Sequence, residues 1–392
     1  MAVNLTNAEA ALKSYYIDAV SEQLNNKVNP LLAEIKKTTE DVWGKDVKKT
    51  VTVGLNGGIG AGDEEGDLPS ASGNNYVQLT STLKNLYGRI EISDKALRAS
   101  ENNSGALVSL LNAEMEGLIK SSSYNFGRML FGNGSGLVAN IEAVNENKIY
   151  IRGEIGVAPG MKVEVVDENG NVQTKFGKLT VLAVDHNIAV IDVDKYDLVQ
   201  DDFMDKNFSL AIQGSANKEI TGFQKIFSET GELYGLNKEQ NSFLVPKIIT
   251  ASSNFNLSTI QKTIDELEMS TGNTPNFIVC SLGVRRTMQE LLSQNNRNIE
   301  TMELAGGYKS MSYNGIPIVG DRFCPSGTMY LINTNDFALH QLCDWQWLSD
   351  DDGRVLKQIP GKPVYTATLV KYAELMCSNP SGQACIKSIV EK

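Results

Sequence analysis

The amino-acid sequence predicts an α+β chain with a small β-barrel or sandwich inserted into it. Three observations point there. Residues 103–130, "NSGALVSLLNAEMEGLIKSSSYNFGRML", keep an apolar side long enough for one helix of about 40 Å. Residues 137–213 break instead into short alternating runs, "NKIYIRG", "MKVEVVD", "KLTVLAVD" and "NIAVIDVD", parted by turn signals at roughly ten-residue spacing. From residue 215 onward, strand-like and helix-like runs mix without the regular alternation of a parallel sheet.

Residues 8–37 read as an amphipathic helix. Ala11, Leu12, Tyr15, Tyr16, Ala19, Val20 and Leu24 form one stripe, and Pro30 breaks or restarts the helix. Such a stripe precedes any core-forming segment, so it needs a later domain or a neighbouring subunit to cover it. Residues 48–93 then read as one long β-hairpin, rising through "VKKTVTV" and returning through "NNYVQLTSTLKNLYGRIEIS". Between the arms lies "GLNGGIGAGDEEGDLPS" (54–70), with six glycines and four carboxylates. This connection far exceeds the usual two to five residues of a hairpin, which marks it as functional or disordered.

The long helix has Asn103 or Ser104 to cap it, and "FGNGSG" ends it. In the 137–213 segment, Asn169-Gly170 suits a tight hairpin turn. Glycine-bearing stretches, "GNGSG" and "QGSANKEITG", bracket that segment, as expected of an insertion. Beyond it, strands are expected at "FLVPKIIT", "NFIVCS", "GIPIVGD" and "TMYLINT", and helices at 256–270 and 282–296. The closing "PVYTATLVKYAELMCSN" is strand-like and should return to a sheet begun earlier.

Composition narrows the function classes. Among 392 residues, 36 basic and 47 acidic give a net charge of −11, which speaks against a primary nucleic-acid binder. No run nears the roughly 18–20 apolar residues of a membrane span, so no membrane partner is expected. No secretory signal is visible in "MAVNLTNAEAALKSYY". The five cysteines are odd in number, lack a C-x-x-C pair, and read as reduced core thiols.

Catalytic chemistry finds little support. His186 and His340 are the two histidines, too few for a zinc site or a triad, and both read as structural. The 54–70 stretch resembles a phosphate cradle only in its glycines. Pro69 and a strand follow it rather than a helix N-terminus, and Asp63, Glu64, Glu65 and Asp67 would repel a phosphate. "DEEGD" lacks calcium-loop spacing, and the acidic runs at 199–205 and 349–353 read as solvated loops. No catalytic, cofactor or metal residues are assigned. The candidates left are contacts between subunits: Gly58, Gly60, Asp63, Glu64, Glu65 and Asp67 at the loop tip, Tyr15 and Tyr16 on the first helix, and Arg285 and Arg286 at a later helix start. Trp345, Trp347 and Tyr365 read as packing. Extended arms are costly to order alone, so this pattern fits a subunit of a large assembly.

The order of parts resembles the major capsid protein of tailed bacteriophages, whose fold is shared by herpesvirus capsids and encapsulin compartments. The segments that carry the resemblance are "LKNLYGRIEISDKALRAS" leading into "SGALVSLLNAEMEGLIKSSSYNFGRMLFGNGSG", then "TPNFIVCSLGVRRTMQELL" and "YNGIPIVGDRFCPSGTMYLINTNDF". The resemblance implies an N-terminal arm (1–47), an extended loop (48–93) lying across an adjacent subunit, and a peripheral domain (94–136, 214–250 and 361–392) with a spine helix. It further implies an axial domain (251–360), with 137–213 an inserted β domain. It implies self-assembly through pentamers and hexamers into an icosahedral virion shell. That shell would be built in the host bacterial cytoplasm and would enclose DNA without sequence-specific binding. A portal is implied too, as is a separate scaffolding protein or none, because fewer than fifty residues precede the loop. An encapsulin-like shell around cargo enzymes is the alternative. No lysine lies between Lys49 and Lys84, so a covalent cross-link from the loop tip is not expected.

Overall fold

The computed structural model describes residues 29–95, 104–153, 156–185, 189–195, 198–203, 206–251, 255–294, 301–303, 309–349 and 355–391. Tyr15, Tyr16, His186 and most of the expected first helix lie outside the described residues. Pro30 does restart a helix, the single turn Pro30–Glu34, with the Asn29 side chain accepting from the Leu32 N–H at 3.4 Å. Helix does not continue to residue 37. Lys36–Thr38 is a strand, running parallel to Phe337–Trp347.

The first sheet is organised around the closing strand Val364–Cys377. It pairs on one side with Phe337–Trp347 and on the other with Lys84–Ser93, both antiparallel. The expectation that the closing segment returns to an earlier sheet is met, and it revises the long hairpin. Asp46–Val53 pairs with Asn75–Thr82 over eight residues. Lys84–Ser93 then leaves the hairpin for the closing strand, because Leu86, Ile90 and Ile92 alternate toward the core and are buried there. The long helix Ser104–Phe131 lies against this sheet, burying Met115, Ile119, Phe126, Met129 and Leu130 in the main core. It comes closest at Gly88, where an added Cβ would stand 3.0 Å from Leu118 Cδ1.

The second sheet has seven strands, in the order Lys247–Thr250, Ala384–Lys387, Met329–Ile332, Phe277–Cys280, Ile316–Gly320, Lys309–Tyr313 and Thr301–Glu303. Two of its neighbouring pairs are parallel and the rest antiparallel, a mixed sheet within an α+β chain. Period-2 alternation divides its residues between two cores. Phe277 and Val279 join the main core, whereas Ile278 and Cys280 pack with Ile260, Ile264 and Leu267 of helix Leu257–Thr271 and Val284 and Met288 of helix Leu282–Gln294. Strand pairing crosses the boundary drawn at residue 360: Phe337–Trp347 lies in the first sheet and Ala384–Lys387 in the second.

Residues 137–212 close into a six-stranded barrel. Its strands turn Val163, Val165, Leu179, Val181, Ile149, Ile151, Ile191 and Val193 inward, and Phe176, Phe203 and Phe208 stack against one another, with ring centroids 4.5–5.9 Å apart. This core is separate from the other two. The expected turn at Asn169-Gly170 is present. Gly170 has φ +78, and the Asp167 carboxylate accepts from the Asn169 and Asn171 N–H groups.

The chain enters and leaves the barrel through one neck. Asn217 N–H donates to Ser135 O at 2.8 Å and Ile212 N–H to Gly136 O at 3.2 Å. Gly136 has φ +76, and a Cβ there would meet Ser215 O at 2.4 Å, so two independent reasons demand glycine. Behind the neck, Arg128 of the long helix forms an ion pair with Glu219, both almost fully buried. Asn125 Oδ1 accepts further bonds from the same guanidinium at 2.8 and 3.0 Å.

Candidate assembly surfaces

The arm formed by Asp46–Val53 and Asn75–Thr82 is rooted in the main core by Val47 and Leu79, both fully buried. From Val47 to Val53 it runs roughly 20 Å at about 3.3 Å per residue. The connection 54–74 doubles back as two close legs. Asn56 Nδ2 donates to Asn74 Oδ1 at 3.1 Å, and Gly58 N–H donates to Asn56 Oδ1 at 2.9 Å. A Cβ on Gly58 would lie 3.1 Å from Ser72 N, and one on Gly60 would lie 3.0 Å from Pro69 Cγ. Both glycines thus let the legs approach each other, and neither adopts a positive φ.

At the end of the legs, Gly66 N–H donates to Asp63 O at 3.1 Å and turns the chain. Asp63, Glu64, Glu65 and Asp67 are exposed there, and none forms an ion pair among the described residues. Leu55, Ile59 and Leu68 along the same connection are 96, 85 and 90 % exposed. Sequence reading assigned the glycines and acids to this surface but missed these three aliphatics. They follow no helical or strand period, so the usual signal is silent; what could have found them is apolar side chains within a Gly/Asp/Pro-rich loop.

Arg285 and Arg286 diverge. Arg285 is exposed and lays its stem over Gly320, whose added Cβ would be 2.9 Å from Arg285 Cδ. Arg286 faces a groove of about 810 Å³ shared with Tyr124, Arg322 and Glu391. The Glu391 carboxylate accepts from Ser281 Oγ at 2.5 Å and Gly327 N–H at 2.6 Å. Burial opposes its charge, but those bonds and the Arg286 charge hold its carboxyl below the usual range. The Arg322 guanidinium stacks 4.5 Å from the Tyr124 ring centre and 4.8 Å from that of Phe323, an arrangement the sequence did not reveal.

The remaining expectations fall inside the subunit. Trp345 and Trp347 are buried in the main core. His340 is buried, its Nδ1 2.9 Å from Glu40 O, and burial holds it below its ordinary pKa. Beside Trp345, Lys371 is buried and donates to Asp344 at 2.5 Å and Gln341 at 2.8 Å, with Lys37 reaching Asp344 at 3.1 Å. Burial would raise the Asp344 carboxyl, but the two lysines hold it at about 2. All five cysteines are free thiols. Among the described residues no cluster of three or more His, Cys, Asp or Glu could hold a metal ion, and no helix is long and apolar enough to cross a membrane.

No family model matches the chain, and no curated protein matches it. Among solved structures, a chain of the cyanophage A-1(L) capsid asymmetric unit superposes with a TM-score of 0.58 at 11% identity, covering 92% of each chain. A chain of the native GTA particle capsid gives 0.48 at 10% identity, over 93% of this chain and 91% of that one. The SrpI encapsulin of Synechococcus elongatus gives 0.46 at 9% identity, over 95% of each. The likeness to the cyanophage chain shows the capsid fold expected from the sequence, and the inserted β domain expected there is a closed barrel.

Proposed function

We propose that this chain is the major capsid protein of a tailed phage, the subunit of an icosahedral shell that encloses double-stranded DNA. The observation that carries the reading is the shared fold with the cyanophage capsid chain across 92% of both chains. The arm adds support. Three exposed aliphatic side chains along the connection of a projecting hairpin are unfavourable in a monomer and favourable once a neighbour covers them. A net charge of −11 fits a wall that must not grip the DNA it surrounds.

In this reading the first sheet and long helix form the peripheral domain, and the second sheet forms the axial domain around five- and six-fold axes. The barrel braces or decorates the shell. Many weak contacts between identical copies, rather than chemistry, do the work. Partner proteins in this reading are a portal and a scaffolding protein, and assembly takes place in the host bacterial cytoplasm.

Expression with and without the neighbouring genes, followed by size exclusion and negative-stain microscopy, tests the reading. Megadalton icosahedral particles are expected, with nuclease-protected DNA when packaging components are present. A stable monomer with saturable nucleotide binding would overturn it. Particles filled with a cargo enzyme and no DNA would replace it with an encapsulin-type compartment.

A further inference from the structure

We propose that residues 388–391 form a strap that opens as a unit while the second sheet stays intact, with the Glu391 carboxylate as its latch. Opening uncovers the floor of the groove that the barrel, the long helix and the second sheet share. Every contact involved lies within one chain, so the strap does not depend on the shell reading.

Strand Ala384–Lys387 is held along both edges, by Lys247–Thr250 and by Met329–Ile332. Past Lys387 that ladder ends. Ser388 turns the chain with φ +58, a left-handed conformation that costs a residue with a side chain and persists only when its surroundings are tied down. Ile389 is buried in the core that holds Val284 and Met288, and its N–H donates to Gly327 O at 2.9 Å. Thr287 Oγ1 donates to Val390 O at 3.4 Å. Glu391 Oε1 accepts from Ser281 Oγ and from Gly327 N–H, beside the N-terminus of helix Leu282–Gln294. Two glycines make room for this. A Cβ on Gly283 would collide with the Glu391 carboxylate, and one on Gly327, at φ +65, would stand 2.8 Å from Ile389 O.

These ties are few beside two strand ladders, which puts the strap at the low-stability end of the fold. Ile389 is its apolar anchor, since Val390 is 61 % exposed. Glu391 carries the strongest polar hold, because bonds to an ionised carboxylate are roughly twice as strong as neutral ones. Glu391 lines the groove together with Asp321 and Cys324, both of which are buried. Asp321 Oδ2 has no hydrogen-bond partner among the described residues. Lifting the strap gives that orphan acceptor access to water, which offsets part of the cost of opening.

Iodoacetamide labelling of the full-length protein, read peptide by peptide in mass spectrometry, tests this with the chain's own thiols. Cys324 lines the groove, whereas Cys385 sits in the sheet just before the strap. Cys324 is expected to react well ahead of Cys385. Glu391→Ala should speed Cys324 by roughly ten- to a hundredfold, the worth of hydrogen bonds to a charged group, and leave Cys385 unchanged. Glu391→Gln, which keeps an acceptor but no charge, should fall between the parent and Glu391→Ala. Equal acceleration of both thiols would show that the whole sheet loosens, which overturns the strap. A Cys324 rate indifferent to both substitutions overturns Glu391 as its latch.

Discussion

His340 and Glu374 stand directly opposite each other across the antiparallel pair formed by Phe337–Trp347 and the closing strand. Both are almost wholly buried, and each keeps one polar atom, His340 Nε2 and Glu374 Oε2, without a hydrogen-bond partner among the described residues. Glu374 Oε1 accepts from Thr221 N–H at 2.9 Å. The middle of the first sheet therefore holds two titratable groups that cannot reach water.

Burial raises the Glu374 carboxyl to about 7, against the pull of Thr221, Lys84 and Lys225. The folded chain then holds a proton that the unfolded chain has lost, so this stabilising term is full below pH 4.5 and disappears as pH rises through about 7. Glu374→Gln keeps the Thr221 bond and removes the pH dependence. In urea unfolding of unassembled subunits, the variant should match the parent below pH 4.5. At pH 8 it should exceed the parent by up to about 3 kcal/mol. His340 acts in the opposite direction. Burial depresses its pKa, with Lys49 adding to the effect against the Glu40 carbonyl bond, so its term is lost as pH falls below 6.5.

Arg128→Met should lower subunit stability by about 3–5 kcal/mol, because it strands the Glu219 carboxylate in the interior. Replacing both residues by methionine should recover most of the loss. Urea midpoints of the two variants decide the matter, and equal losses in both would show that the neck depends on more than this pair.

Excising residues 137–212 and joining Gly136 to Gln213 should leave a folded protein. The ends are already bonded to each other, and the barrel core is its own. Far-UV circular dichroism should lose strand signal while the helix signal stays. Separately expressed 137–212 should show a cooperative thermal transition.

Removal of residues 1–28 and of residues 1–40 should behave differently. A first helix that only waits for a neighbouring subunit would leave the subunit itself intact when residues 1–40 are removed. Leu31, Leu32 and Ile35, however, are buried in the main core, and Lys36–Thr38 edges the first sheet. Losing those three side chains costs on the order of 5 kcal/mol, a large share of a domain's stability. The longer truncation should aggregate or melt well below the shorter one.

Legibility in the sequence followed the range of the interactions. The long helix declares itself through its own periodicity, and the barrel through alternating runs and local turns, so both stand within one residue or so of expectation. Phe337–Trp347 is not among the strands expected from the sequence. Four consecutive buried residues begin it and two register shifts interrupt it, which erases the alternation that marks a strand. Lys84–Ser93 was assigned to the wrong partner because its true partner is remote in the chain and nothing local encodes it. At the candidate site, the glycines and acids of the tip were legible as composition. The Arg322 stack exists only once distant segments meet.

That remoteness has a consequence for how the subunit is made. Arg89 hydrogen-bonds Thr366, 277 residues further along the chain. At roughly 5–20 residues per second, a ribosome needs about 15–55 s to travel between them. Throughout that interval Lys84–Ser93 lacks its native strand partner. Only a nearly finished polypeptide can complete the first sheet, so the main core closes late in the chain's own synthesis.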